Sequence, residues 1–204
     1  FGDCDVRVGK HSGLIESICD NGKDMISAPV EPIAWRAPTD NDRTIKLKWF
    51  DKNLDKLNPY CKGAKIKISD AGAEINVSLI LCANGRVPAA RLAVTYSFDG
   101  YSIAVKTNAK IEKNLPFLPR FGYKFTCPED FEAFSYFGYG PVESYVDKKL
   151  SSRLSYFKST AEENFVHYIK PQENSAHYGC RFAEITSAAG SSRMFTSESF
   201  SLSV

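Results

Sequence analysis

The chain has 204 residues and a formal net charge of +2, and 43% of its residues are hydrophobic. Its basic residues are scattered, whereas a nucleic-acid-binding face concentrates them, and no apolar run approaches the ~20 residues that a membrane helix needs. The composition therefore predicts a globular protein and argues against nucleic-acid and membrane partners.

The cysteines are widely dispersed and include no C-x-x-C pair, which argues against a zinc site or a redox motif. We expect thiols rather than disulfides, and hence a reducing, cytoplasmic compartment. The chain begins at Phe1 and stops at Val204 within a strand-like run, so we interpret it as a fragment of a longer protein. Export stays open, because the native N-terminus would then be missing.

The first 42 residues predict short strands and an ordered loop. Asn21-Gly22 lies between two apolar runs, a strong signal for a two-residue hairpin turn. Three prolines between Ala28 and Asp42 prevent regular structure there and favour an extended loop.

A helix is predicted within Thr44 to Leu57, where the apolar side chains recur at helical spacing. The residues concerned are Leu47, Phe50, Leu54 and Leu57. Asp42 is a candidate N-cap, and Asn58-Pro59 would stop the helix. We expect this to be the single short helix of the chain.

Strands are predicted throughout the remainder, where apolar and polar residues alternate. Asp99-Gly100 separates two such runs and predicts a hairpin, whereas residues 159–165 indicate a polar connection. Many short strands with frequent turns predict an all-β fold, an antiparallel β-sandwich forming one domain over residues 1–204.

Three charged segments interrupt this pattern at turns rich in glycine and proline. The first segment, residues 36–42, reads R-A-P-T-D-N-D, and the second, residues 138–147, reads G-Y-G-P-V-E-S-Y-V-D. The third, residues 171–174, reads P-Q-E-N. Charged side chains on neighbouring loops can satisfy one another, so we expect the three segments to meet. Arg36 should then pair with a carboxylate of the second or third segment.

Together, in this order and spacing, the segments resemble the C-terminal β-sandwich of glycoside hydrolase family 2 β-galactosidases. In that family this is the small-chain, galactose-mutarotase-like domain, and the pattern is R-A-P-x-D-N-D, G-x-G-P-x-E-x-Y-x-D and P-x-E-N. The resemblance implies a parent enzyme that is a retaining hydrolase of β-galactosides such as lactose. It also implies that both catalytic glutamates lie in an N-terminal (β/α) barrel that is absent here.

The site prediction therefore includes no catalytic residue. Candidates for binding carbohydrate or for fixing the loops are Arg36, Asp40, Asp42, Glu143, Asp147, Glu173 and His177. Loop fixing is favoured over sugar contact, because turn carboxylates often accept backbone N–H groups and arginine clamps carboxylates. His177 stands where the family often carries arginine, and Ser175 where it often carries glycine.

Metal binding by this chain is not expected, because residues 40–42 supply too few ligands for a calcium loop. The family often uses Mg²⁺ and Na⁺, and we predict no cofactor in this fragment. The resemblance implies the N-terminal barrel, β-galactoside sugars and a homo-oligomer as partners. An autonomous carbohydrate-binding or mutarotase-like module is the alternative, and a scaffold that only packs on neighbouring domains is a third possibility.

Overall fold

The computed structural model describes residues 4–70, 72–83 and 87–204. Strands dominate these residues, and every pairing between named strands is antiparallel. The predicted all-β class is thus confirmed, and the arrangement is consistent with a β-sandwich. Contacts divide the chain into two compact units, bounded at Cys127 and Pro128, and each has a core of its own. A single domain over residues 1–204 stays a prediction.

The first unit contains three sheets. A three-stranded sheet has the order β1 (Cys4–Val8), β2 (Ile15–Asp20) and β3 (Lys23–Asp24). A two-stranded sheet pairs β4 (Ala28–Ile33) with β9 (Gly122–Thr126). The largest is a meander of β5 (Asn58–Ser69), β6 (Gly72–Cys82), β7 (Ala90–Phe98) and β8 (Ile103–Ile111).

Both predicted hairpins are present. Strands β2 and β3 are joined by Asn21 and Gly22, whose φ angles are 51° and 76°. Strands β7 and β8 are joined by four residues, and the Asp99 carboxylate accepts the Tyr101 and Ser102 N–H groups at 2.9 and 2.8 Å. Positive φ in the first turn and a side-chain acceptor in the second explain why these residue types predict turns.

Gly22 gives a direct test of the first turn. The space around a Cβ built there is empty within 4 Å, so a substitution would meet only backbone strain at φ 76°. We expect Gly22→Ala to lower the free energy of unfolding by about 1 kcal/mol. Urea denaturation would measure this, with Gly63→Ala as control, since Gly63 has equal space without a positive φ. Equal losses in the two variants would contradict the assignment.

The core of the first unit lies on one face of the meander. Val77 pairs with Val94 and Leu79 with Leu92, and all four side chains are buried. Tyr96 lies on the same face and donates a hydrogen bond of 3.2 Å to the Gly13 carbonyl. This contact ties the meander to the turn between β1 and β2.

The predicted helix is shorter than expected and buries a different face. Helix α1 spans Ile45–Asp51, and it buries Trp49 completely while leaving Leu47 66% exposed. Its N-cap is Thr44, so the prediction of Asp42 as N-cap is wrong. Asn53 has a φ of 53°, which breaks the helix, so the apolar spacing beyond it no longer marks one helical face.

The second unit is one four-stranded sheet in the order β11-β10-β12-β13. Its strands are β10 (Ala133–Gly140), β11 (Arg153–Thr160), β12 (Ala176–Thr186) and β13 (Ser192–Ser203). Phe134, Tyr136, Cys180 and Ala183 form its buried core. The second charged segment begins at the end of β10, and the third precedes β12, so two adjacent strands bring these segments to the same end of the sheet.

A second short helix, α2 (Ala161–Asn164), corrects the prediction of a polar connection and of a single helix. Its N-cap Thr160 accepts the Glu163 N–H through Oγ1 at 3.2 Å, and Glu163 accepts the Thr160 N–H at 3.3 Å. This reciprocal pair is a capping box, and the T-x-x-E pattern was a signal for it.

Candidate functional site

The first segment is fixed by a fork-to-fork ion pair. Arg36 donates from Nη1 to Asp42 Oδ2 at 2.6 Å and from Nη2 to Asp42 Oδ1 at 3.2 Å. Its Nε donates to the Pro119 carbonyl at 3.0 Å. Asp42 also accepts the Thr39 N–H at 2.7 Å. Arg36 thus holds its own loop and the chain at Pro119, and the prediction that it pairs with a carboxylate of another segment is wrong.

Asp42 is buried, and burial alone would favour its neutral form. Hydrogen bonds from Arg36 and Thr39, together with the Arg36 charge, outweigh this effect and hold the pKa of Asp42 below its usual value. The guanidinium also lies 5.5 Å from the centre of the Trp49 ring. Arg36 and Asp42 therefore form an ionised pair that holds the first segment in place.

The second and third segments meet at Glu143. This carboxylate is 6% exposed, and its Oε1 accepts Lys148 Nζ at 2.5 Å. The Tyr168 hydroxyl donates to the same oxygen, and Oε2 accepts the Ser175 N–H at 3.2 Å. Tyr168 and Ser175 flank the third segment on either side, so Glu143 joins the second segment to both ends of the third, whereas the predicted meeting of all three segments stays a prediction.

Burial of Glu143 opposes ionisation, but Lys148, Tyr168 and the Ser175 N–H together hold its pKa below the usual value. In the same way the pKa of Lys148 is raised, chiefly by its hydrogen bond to Glu143. The pair is ionised at neutral pH. A general acid in glycoside hydrolysis needs a raised pKa instead. Glu143 is therefore a poor candidate for that role.

Behind Glu143, a chain of hydrogen bonds leads to His177. Asn164 Nδ2 donates to the Ser175 carbonyl at 3.0 Å, and Asn164 Oδ1 lies 2.8 Å from His177 Nε2. Ser175 has a φ of 65°, the left-handed conformation that glycine adopts without strain. The glycine that the resemblance implies at this position would adopt the same conformation without strain.

His177 is fully buried and stacks on Tyr136 with a centroid distance of 4.1 Å. Burial lowers its pKa, against the opposing effects of the Tyr139 carbonyl and of Glu143. A neutral, enclosed imidazole has no exposed surface to offer a ligand in this structure. His177 therefore belongs to the packing beneath the loops.

The other candidates lie nearer the surface. Asp40 begins the 3-10 turn of the first segment and is exposed, and Asp147 is exposed between Tyr145 and Lys148. Glu173 accepts the Ser203 hydroxyl at 3.4 Å. A sugar-binding role for these residues stays a prediction.

Sequence reasoning missed Lys148 and Tyr168 as partners of Glu143. Both lie just outside the charged segments, and this proximity in sequence was a signal. A pairing between side chains 5 and 25 residues apart depends on the loop paths, which alternation and turn residues do not specify.

Within residues 4–70, 72–83 and 87–204, no group of three or more His, Cys, Asp or Glu side chains is placed to hold a metal ion. The six cysteines carry thiols in the structure. Over the same described ranges, no helix has the length and apolarity to cross a membrane.

Comparison with known proteins places this chain in a family. Residues 2–204 match the family described as Beta galactosidase small chain. A β-galactosidase of Actinobacillus pleuropneumoniae is 36% identical over 182 residues, which are 89% of this chain and 18% of that protein.

More distant β-galactosidases give the same coverage. The Kluyveromyces lactis protein is 32% identical over 91% of this chain and 19% of its own length. The Staphylococcus xylosus protein is 29% identical over 87% of this chain and 18% of its own length. The chain spans less than a fifth of the curated relatives it matches, and it belongs to the β-galactosidase small-chain family.

Proposed function

We propose that this chain is the C-terminal, non-catalytic part of a β-galactosidase. The parent hydrolyses terminal β-D-galactosides such as lactose with retention of configuration. The family match and the β-galactosidase relatives support the hydrolase class, and their greater length supports a larger parent chain. A cytoplasmic location for the parent stays a prediction, with export left open.

One observation carries the non-catalytic assignment. Glycoside hydrolysis needs two carboxylates that flank the scissile bond, one of them protonated. Glu143, the most buried glutamate of the charged segments, has both oxygens engaged and a lowered pKa. The first segment commits Asp42 to Arg36 in the same manner. These contacts support a role in fixing loops, and we place the catalytic pair in the N-terminal barrel.

The fixed loops suit a domain that supports the rim of the active site and the oligomer of the parent. A loop whose charged groups are satisfied internally keeps its shape when another surface packs against it. We expect any Mg²⁺ or Na⁺ that the parent uses to be held outside this chain, and β-galactosides to bind mainly at the barrel.

The test compares the 204-residue chain with the complete polypeptide that carries it. We expect the complete polypeptide to hydrolyse an aryl β-galactoside and the purified chain to show no hydrolysis above background, because the acid and nucleophile pair is absent. Hydrolysis by the clean chain that Glu143→Gln or Glu173→Gln abolishes would contradict the assignment.

A titration of the purified chain with galactose and lactose tests the alternative of an autonomous carbohydrate-binding or mutarotase-like module. Saturable binding, or faster mutarotation of galactose, would favour that alternative. The enclosed His177 ring argues against a mutarotase-like site that depends on it.

A further inference from the structure

The loops fixed by Glu143 present an unusual outer surface. Five large apolar side chains project from residues 141–152 and 165–171, and all are at least half exposed. They are Val142, Val146, Leu150, Phe165 and Ile169, called here the apolar loop surface. Leu150 and Ile169 are fully exposed, with relative accessibilities of 102% and 106%.

Scattered apolar residues on a surface are ordinary, but several on adjoining loops mark an interaction site. The two loops adjoin because the Tyr168 hydroxyl lies 2.9 Å from Lys148 Nζ and donates to Glu143 Oε1. Lys148 and Tyr168 of these loops turn to Glu143, whereas the five apolar side chains turn outward beside the exposed Asp147. Covering fully exposed side chains as large as Leu150 and Ile169 would be favourable, because it removes their apolar area from water.

We infer that the apolar loop surface is a docking site for the remainder of the β-galactosidase polypeptide, an inference that rests on the proposed function. The curated relatives are about five times as long as the matched region, so the parent offers ample protein surface to cover it. The buried contacts of Glu143 hold these loops rigid before docking, so the loops lose little conformational entropy when they bind.

The chemistry of the surface favours protein over sugar or lipid. Four of its five side chains are aliphatic, and they offer neither hydrogen bonds to hydroxyl groups nor a flat ring for a sugar to stack on. Lys148, a cation of the first of these loops, is engaged by Glu143. Asp147 is exposed beside it, which opposes attraction to anionic lipid.

Footprinting by hydroxyl radicals tests the inference without a substitution. In the complete β-galactosidase polypeptide we expect the Leu150 and Ile169 side chains to be oxidised at least tenfold more slowly than in the 204-residue chain. Tyr101, fully exposed at the β7–β8 turn, is the reference side chain and should react equally in both. Equal oxidation of Leu150 and Ile169 in the two proteins would overturn the inference.

A variant pair supplies the second measurement. Leu150→Asp combined with Ile169→Asp should leave the melting temperature of the 204-residue chain unchanged, because both side chains are fully exposed there. In the complete polypeptide it should speed heat inactivation by roughly tenfold, since charges would enter an apolar interface. Tyr101→Asp is the matched control and should be neutral in both proteins.

The outcomes separate the two proposals. If the complete polypeptide protects these side chains but hydrolyses no β-galactoside, the proposed function fails and the docking site stands. If the complete polypeptide is active, but Leu150 and Ile169 are not protected in it and the double variant loses activity at the wild-type rate on heating, only the docking site fails. Flotation of the wild-type chain with phosphatidylcholine–phosphatidylserine vesicles would instead assign the surface to lipid and overturn the inference.

Discussion

Glu143→Ala is expected to lower the free energy of unfolding by about 2–4 kcal/mol, because several donors converge on this one buried carboxylate. Without it, the Ser175 N–H is left buried and unsatisfied, and Ser175 is only 4% exposed. Tyr168 loses its acceptor as well. Lys148 suffers least, because its side chain is 53% exposed and water can solvate the ammonium.

Urea denaturation measures this loss, and Glu198→Ala is the matched control. Glu198 lies in the same unit, on the edge strand β13, and is exposed, so its replacement should change the free energy by less than about 0.5 kcal/mol. A loss for Glu143→Ala no greater than that of the control would show that the contacts of Glu143 contribute nothing to stability.

The contribution of Glu143 to the free energy of unfolding should depend on pH, because the pKa of Glu143 is lowered in the folded protein. A carboxylate with a folded pKa below its unfolded value of 4.5 stabilises the fold above that value, and it loses this contribution as the pH falls through the folded pKa. The difference between the wild type and Glu143→Gln should therefore be constant from pH 6 to 7 and shrink below about pH 4.5. A difference that grows on acidification would contradict the assignment.

The all-β class was predictable because strands and turns depend on local patterns. Alternation along β7 places Leu92, Val94 and Tyr96 on one face, and the structure buries all three. Asn21-Gly22 forms the turn that its tolerance of positive φ predicts. Both signals act between residues close in sequence, so neither requires knowledge of the tertiary fold.

The helix face was not predictable in the same way. Four apolar residues share a helical spacing, but the helix ends at Asp51 and left-handed Asn53 resets the direction of the chain. The buried residue is Trp49, whose indole donates to the Phe117 carbonyl at 2.9 Å. That partner lies 68 residues away, and periodicity within one short segment does not detect it.

The sequence singled out the charged residues of the candidate site but specified few of the contacts between them. Glu143 contacts the residues beside the third segment because Glu143 follows β10, and the third segment precedes β12. These two strands are neighbours in the sheet. His177 was weighed as a sugar ligand, yet the packing of β12 against β10 encloses it beside Tyr136. Strand neighbours and enclosure are tertiary properties, which motif spacing leaves open.

The contacts of Arg36 give the second large expected effect. Arg36→Ala should lower the free energy of unfolding by about 2–3 kcal/mol, since it leaves the Asp42 carboxylate buried without its cation. It also removes the donor to the Pro119 carbonyl, which joins the first segment to a stretch 83 residues away. Arg36→Lys should recover only part of the loss, because an ammonium group lacks the planar fork that engages both oxygens of Asp42.

Two comparisons make the Arg36 prediction specific. Arg91→Ala removes an exposed pair in which Nε lies 4.0 Å from Glu112 Oε1, and it should cost less than about 1 kcal/mol. In a double-mutant cycle, Arg36→Ala combined with Asp42→Asn should cost less than the sum of the single losses, because each single change strands the other partner. Additive losses, or equal losses for Arg36→Ala and Arg91→Ala, would show that the fork-to-fork pair does not fix the first segment.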